Sequence, residues 1–153
     1  MKVGELHHSE KSKVFPAALE TLYEMLKFVK EQASAAGFNN TVVSKIELAA
    51  EEALVNIISH GYPETSGDVN IICENINGKS LRLTIIDSGV PFNPLDAIKS
   101  FTPKSIESPE EQIEQQVGGY GIYFIVNMMD HVDYQREDNK NILILEKHNP
   151  SVN

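Results

Sequence analysis

An Asn-Gly pair set between two apolar runs does most to limit what this chain can become. Leu81, Leu83 and Ile85 alternate with Arg82 and Thr84, the pattern of a strand with one face buried, and an earlier run spans Val69 to Glu74. Asn75-Ile76-Asn77-Gly78 lies between them, and its Asn-Gly step accepts the left-handed backbone that a tight reversal needs. The chain therefore contains an antiparallel hairpin with one apolar face, and that face needs a cover.

Helical patterns supply the cover. Residues 2–8 read as an edge strand. Pro16 then suits a first helical turn, with Phe15, Leu19, Leu22, Leu26, Val29 and Ala33 as the apolar stripe and Gly37 as the stop. Asn39 or Asn40 caps a second helix that runs to about His60 and ends at Gly61-Tyr62-Pro63. After the hairpin, residues 88–117 hold four prolines and an acidic run, a length of irregular chain that in a compact domain usually serves a function, often as a lid. Gly118-Gly119-Tyr120-Gly121 opens a helix to about Asp130, with Ile122, Ile125, Val126 and Met129 on its apolar side. Strands near 131–137 and 141–147 meet at Asp138-Asn139-Lys140. This order predicts an α+β fold in a single domain over 1–153: a two-layer α/β sandwich, its sheet mostly antiparallel and mixed, helices on one face, and a lid at about 91–118.

Charge narrows the partners. Thirteen Lys and Arg against 22 Asp and Glu leave a net charge of −9, with no basic footprint for direct nucleic-acid binding. A small anion is still admissible, held by Mg²⁺, backbone N–H groups and one or two local cations. The lone Cys73 fits a reducing compartment, and no apolar run approaches the ~20 residues of a membrane span. The N-terminus shows no secretory pattern, so a cytoplasmic protein is expected. The five histidines have no metal-ligand spacing, and Cys73, Met25, Met128 and Met129 read as core.

Three places could carry chemistry. On the helix at 41–60, Val42, Ile46, Ala50, Ala53 and Ile57 make the core face, while Glu52 and Asn56 lie about 40° apart on another sector. The small Ala49 and Ser59 flank that pair and leave room for a ligand. Asn56 could give an oxygen to Mg²⁺ and Glu52 could polarise a hydroxyl. On this helix alone, an ordinary solvated polar pair accounts for both. Asp87, at the end of an apolar strand, could accept from the exocyclic amine of adenine, with Gly89 letting backbone approach a flat ring; a plain Asp-Ser-Gly turn explains the same letters. The glycines at 118–121 could present N–H groups to phosphate, although neither a Rossmann fingerprint nor a P-loop is present.

In order, Glu52-x-x-x-Asn56, Asp87-x-Gly89 and Gly119-x-Gly121 resemble the N, G1 and G2 boxes of the GHKL ATPase superfamily. The strings from Glu51 to Tyr62, from Asp87 to Pro94 and from Gly118 to Ile125 resemble its anti-sigma-factor serine kinase branch, over about residues 10–147. The resemblance implies a Bergerat-type, histidine-kinase-like fold that binds ATP with Mg²⁺. Asn56 would coordinate Mg²⁺, Glu52 would be the catalytic carboxylate, and Asp87 would bind the adenine amine beside Gly89. Gly119 and Gly121 would serve the lid hinge and phosphates. Phe101-Thr102-Pro103-Lys104 resembles a stretch of the sporulation-type kinases, which makes Thr102 and Lys104 candidate phosphate contacts. Pro91 stands where many members carry a second glycine. The implied reaction is phosphorylation of a serine or threonine on a small anti-anti-sigma protein of the STAS type, with sequestration of an RNA-polymerase sigma factor and a homodimeric state. The alternative is a nucleotide-dependent module that sequesters a partner and transfers no phosphate.

Overall fold

The computed structural model describes residues 8–96 and 121–150. In chain order these form β1 (His8–Pro16), a 3₁₀ turn (Leu19–Thr21), α1 (Leu22–Ala35), α2 (Asn40–Asn56), a π-helical turn (Ile57–Gly61), β2 (Asp68–Ile76), β3 (Ser80–Asp87), α3 (Gly121–Met128), β4 (His131–Glu137) and β5 (Lys140–His148). The five strands lie in the order β1-β2-β3-β5-β4, and all four pairings are antiparallel.

The predicted hairpin is β2–β3. Asn77 and Gly78 take positive φ values of 56° and 71°, and Lys79 N–H closes the turn on the Ile76 carbonyl at 3.0 Å. Asn39 is the cap of α2, its Oδ1 accepting from Val42 N–H at 3.0 Å. The β4–β5 turn also reverses through left-handed residues, Asp138 and Asn139.

One face of the sheet is buried. Val69, Ile71 and Cys73 of β2, Leu81, Leu83 and Ile85 of β3, and Leu143 and Leu145 of β5 share a core with Met25, Val29 and Ala33 of α1, and with Val42, Ile46, Ala50 and Ala53 of α2. Ile125 and Met129, in and just beyond α3, close the same core. The other face leaves Ile72, Ile86, Ile142 and Ile144 half-buried. No helix among the described residues is long and apolar enough to cross a membrane.

The start of the chain departs from expectation. A strand runs over His8–Pro16, beyond the expected end at residue 8, while residues 1–7, which hold the rest of the expected strand, lie outside the described residues. Phe15 belongs to that strand, opposite Val69, and Pro16 ends it where an edge strand tolerates a missing donor. Leu19, assigned to the helical stripe, is 66% exposed. Helix α2 stops at Asn56, and the wider turn to Gly61 replaces the expected continuation to His60. Ala49 does not border a ligand space; it is fully buried in the core. Helix α3 ends at Met128 rather than Asp130.

Candidate functional site

The C-terminal end of β3, the π-helical turn and the start of β5 meet at a pocket. It is lined by Ala53, Asn56, Ile57, His60, Gly61, Asp87, Val90, Phe92, Pro94, Ile125, Tyr134, Asn141 and Leu143, and encloses about 460 Å³ counting its open mouth. The walls are apolar and the polar groups few, which suits a flat heterocycle held by a small number of directed bonds.

Asp87 lies at the bottom, buried by the core around it. Its Oδ1 accepts from Gly89 N–H at 2.9 Å and from Asn141 Nδ2 at 3.0 Å. Among the described residues nothing donates to Oδ2. Asn141 is the cross-strand partner of Asp87 in the β3–β5 ladder, so both side chains leave the same face at the same rung.

The loop that follows Asp87 is tied on both sides. Val90 N–H donates to the Gly61 carbonyl at 2.9 Å. Tyr62 accepts from Ser88 N–H at 2.8 Å and donates to the Asp68 carbonyl at 2.7 Å. Burial pushes the Tyr62 phenol up; the Ser88 N–H opposes the rise, and the charges of Asp87 and Asp68 add to it. From the other side, Asn141 Nδ2 reaches the Val90 carbonyl at 2.8 Å and Arg136 Nη1 reaches the Gly89 carbonyl at 2.9 Å.

Gly89 is required by a close approach. A β-carbon there would stand 2.4 Å from the Gly61 carbonyl oxygen and 2.9 Å from Asp87 Oδ1. The neighbour that excludes a side chain is thus the chain's own backbone at Gly61.

Asn56, the last residue of α2, lines the pocket, and its side chain makes no hydrogen bond among the described residues. Glu52 lies one turn earlier and does not line the pocket. Its carboxylate rests on the first residue of α3: a β-carbon on Gly121 would stand 2.6 Å from Glu52 Oε2. Partial burial pushes the Glu52 carboxyl up, and the charge of Glu51 adds to the rise.

Of the residues singled out in the sequence, Asn56 and Asp87 thus line one pocket, Gly89 sits in the loop behind it and donates to Asp87, and Glu52 and Gly121 meet one helical turn away. Thr102, Lys104 and Gly119, with most of the lid span 91–118, lie outside the described residues. Two pocket residues, Asn141 and Tyr134, escape the sequence reading, as does Arg136, which holds the adjoining loop through the Gly89 carbonyl. One signal for Asn141 was available, because it shares the alternation of Leu143 and Leu145, where a polar residue on the buried face needs a partner.

Among the described residues no cluster of three or more His, Cys, Asp or Glu could hold a metal ion. An unbonded carboxamide oxygen at Asn56 fits Mg²⁺, which takes few protein ligands and keeps waters and substrate phosphates around it.

Comparison with known proteins bears on the family and the fold. The model of the histidine kinase-like ATPase domain matches residues 15–147. The chain is 27% identical over 108 residues to a protein named serine-protein kinase RsbW from Bacillus mycoides, covering 71% of this chain and 66% of that protein. RsbW of Bacillus cereus is 26% identical over the same span. The chain therefore spans just under two-thirds of the length of these curated relatives. Among solved structures it resembles the RsbU and RsbW domains of a Mycobacterium tuberculosis protein, with TM-score 0.59, 12% identity, and coverage of 92% of this chain and 32% of that one. The catalytic domain of the histidine kinase ThkA superposes with TM-score 0.52 at 15% identity, covering 91% and 97%. At such identities the structural likeness concerns the fold.

Proposed function

The chain belongs to the histidine kinase-like ATPase family, and on that premise we propose that it is an ATP-dependent protein serine/threonine kinase that acts as an anti-sigma factor in the cytoplasm. Its substrate is a small anti-anti-sigma protein of the STAS type, and it sequesters a sigma factor as a homodimer. The observation that carries the nucleotide part is the pocket floored by Asp87: one carboxylate oxygen is saturated by protein donors and the other has none among the described residues. The relatives named serine-protein kinase support the kinase part.

The adenine ring lies between the apolar walls, among them Ile57, Val90, Phe92, Ile125 and Leu143, with its amine donating to Asp87 Oδ2. Asn56 offers its carboxamide oxygen to Mg²⁺, which when bound neutralises charge on the phosphates. Backbone N–H groups at Gly119 and Gly121 meet the phosphates, and Thr102 and Lys104 are further phosphate contacts. Glu52 accepts the proton of the attacking hydroxyl. Burial helps it there, because a carboxyl raised above its ordinary value is a stronger base near neutral pH. Phosphoryl transfer asks the protein mainly for alignment and charge neutralisation.

The test is incubation with Mg-ATP and a candidate STAS-type antagonist, followed by intact mass. One added phosphate, absent with Glu52→Ala, is the expected result. An unchanged antagonist mass with ATP still bound would leave a binding module that sequesters a partner without catalysis.

A further inference from the structure

We propose that Asn141 is a positioning residue that sets the base specificity of the pocket through Asp87, without itself bonding the nucleotide. The inference rests on the adenine reading of the pocket given above.

Two backbone groups fix which way the Asn141 amide faces. Phe92 N–H can only donate, so the atom it meets at 3.3 Å is the amide oxygen. The Val90 carbonyl can only accept, so the atom 2.8 Å from it is the amide nitrogen. A flipped amide would set N–H against N–H and oxygen against oxygen. The remaining N–H of Nδ2 therefore goes to Asp87 Oδ1 at 3.0 Å. Tyr134 donates its hydroxyl to the amide oxygen from the neighbouring strand β4. Two donors and two acceptor sites are then all used, and Asn141 is buried. Although it lines the pocket, it has no hydrogen-bonding capacity left for a ligand.

Its effect passes instead to Asp87. Oδ1 receives Gly89 N–H as well as Asn141, so this oxygen is saturated and the carboxylate is held along one edge. One acceptor, Oδ2, is left for the base. A purine carrying a 6-amino group donates to it. A purine with a 6-oxo group brings a second acceptor to the same place and leaves both unpaired, the arrangement by which polar sites reject analogues strongly. The hydrogen bonds from Asn141 and Arg136 to the Val90 and Gly89 carbonyls draw the 87–92 loop toward β4 and β5, so the wall of the pocket and the orientation of its carboxylate depend on the same strand end.

The experiment is titration calorimetry of the full chain with ATP and with ITP, which differ at the 6-position. Wild type, Asn141→Ala and Asn141→Asp are compared. Wild type should favour ATP. In both variants ATP should lose about 10- to 100-fold more affinity than ITP, the equivalent of one hydrogen bond to a charged group, since any slackening of the wall falls on both nucleotides alike. Asn141→Asp keeps the shape and replaces the donor facing Oδ1 by an acceptor, so it carries the test if the alanine variant does not fold. A purely structural role would weaken both nucleotides alike and leave their ratio unchanged. That result, in a folded variant of a discriminating wild type, overturns the role of Asn141 and leaves the adenine reading intact. A wild type that binds ATP and ITP equally, or neither, overturns both.

Discussion

The carboxylate of Glu52 occupies the space that a side chain at Gly121 would need, with an added β-carbon only 2.6 Å from Oε2. Helix α2 and helix α3 thus meet at the residue proposed as catalytic. The atom in the way is the far end of a flexible side chain, so an alanine at 121 moves the carboxylate at small cost. Gly121→Ala should leave Tm within about 2 °C, since alanine also favours the helix by up to ~1 kcal/mol. Phosphorylation of the antagonist should nonetheless fall at least about tenfold. A single-turnover assay beside a thermal melt checks both.

Glu52→Gln separates activity from stability. The Glu52 carboxyl lies above its ordinary 4.5 in the folded chain, through burial first and Glu51 second. The folded state thus holds this proton more tightly than the unfolded state does. Above the raised value the native protein carries a disfavoured charge; below 4.5 both states are protonated and the difference vanishes. Glutamine should therefore raise Tm slightly at pH 7, and this gain should shrink as the pH falls toward 4.5 while phosphotransfer is lost throughout. In the wild type, the acid limb of the rate profile should lie above 4.5. A Tm for Glu52→Gln below wild type at pH 7 would contradict the burial argument.

Gly89→Ala is the opposite case. The obstruction there is the Gly61 carbonyl at 2.4 Å, backbone to backbone, and neither side can swing away. Overpacking of this kind costs about 1–3 kcal/mol, or roughly 2–10 °C in a domain of this size. Urea melts should show the lower midpoint with an unchanged slope.

Cys73 offers a probe that needs no ligand. It is 3% exposed, and burial pushes its thiol from the ordinary 9.0 up to about 12. That rise lowers the thiolate fraction about a thousandfold. Native protein should resist alkylation by iodoacetamide at pH 8, and urea should restore the rate of a free thiol. Fast native labelling would place Cys73 outside the core.

What was legible in the sequence was local. The caps and reversals at Asn39, Asn77 and Gly78 depend on neighbours a few residues away, and each forms as its type requires. Phe15 and Leu19 misled because their spacing fits a helix, whereas Phe15 is committed by pairing with Val69, a contact no local period encodes. Helix α2 shows its core face correctly at Val42, Ile46 and Ala53, yet Ala49 joins that face because the buried sector is wider than one stripe. The site divides in the same way. Asp87 is visible as a polar residue at the end of an apolar strand, and Asn56 as half of a polar pair with Glu52 on one sector of a helix. The clamp on Asp87 is not, because it depends on the register of two strands whose partners stand 54 residues apart.

Asp87→Asn tests the base contact itself. The change keeps the size of the side chain, and an amide oxygen in the place of Oδ1 can still accept from Gly89 N–H and Asn141 Nδ2. Those two donors fix the orientation of the new amide just as they fix the carboxylate, so its nitrogen takes the position of Oδ2. The pocket then presents donors where it had an acceptor. An adenine amine meets N–H groups and loses its partner, and ATP affinity should fall about 10- to 100-fold. A 6-oxo purine finds a donor in the same place, so ITP should bind as well as ATP or better. The fold should survive, since the protein's own bonds to this position are kept. Calorimetry with both nucleotides reads the exchange directly. An Asp87→Asn chain that still prefers ATP as wild type does would show that the base is recognised elsewhere in the pocket.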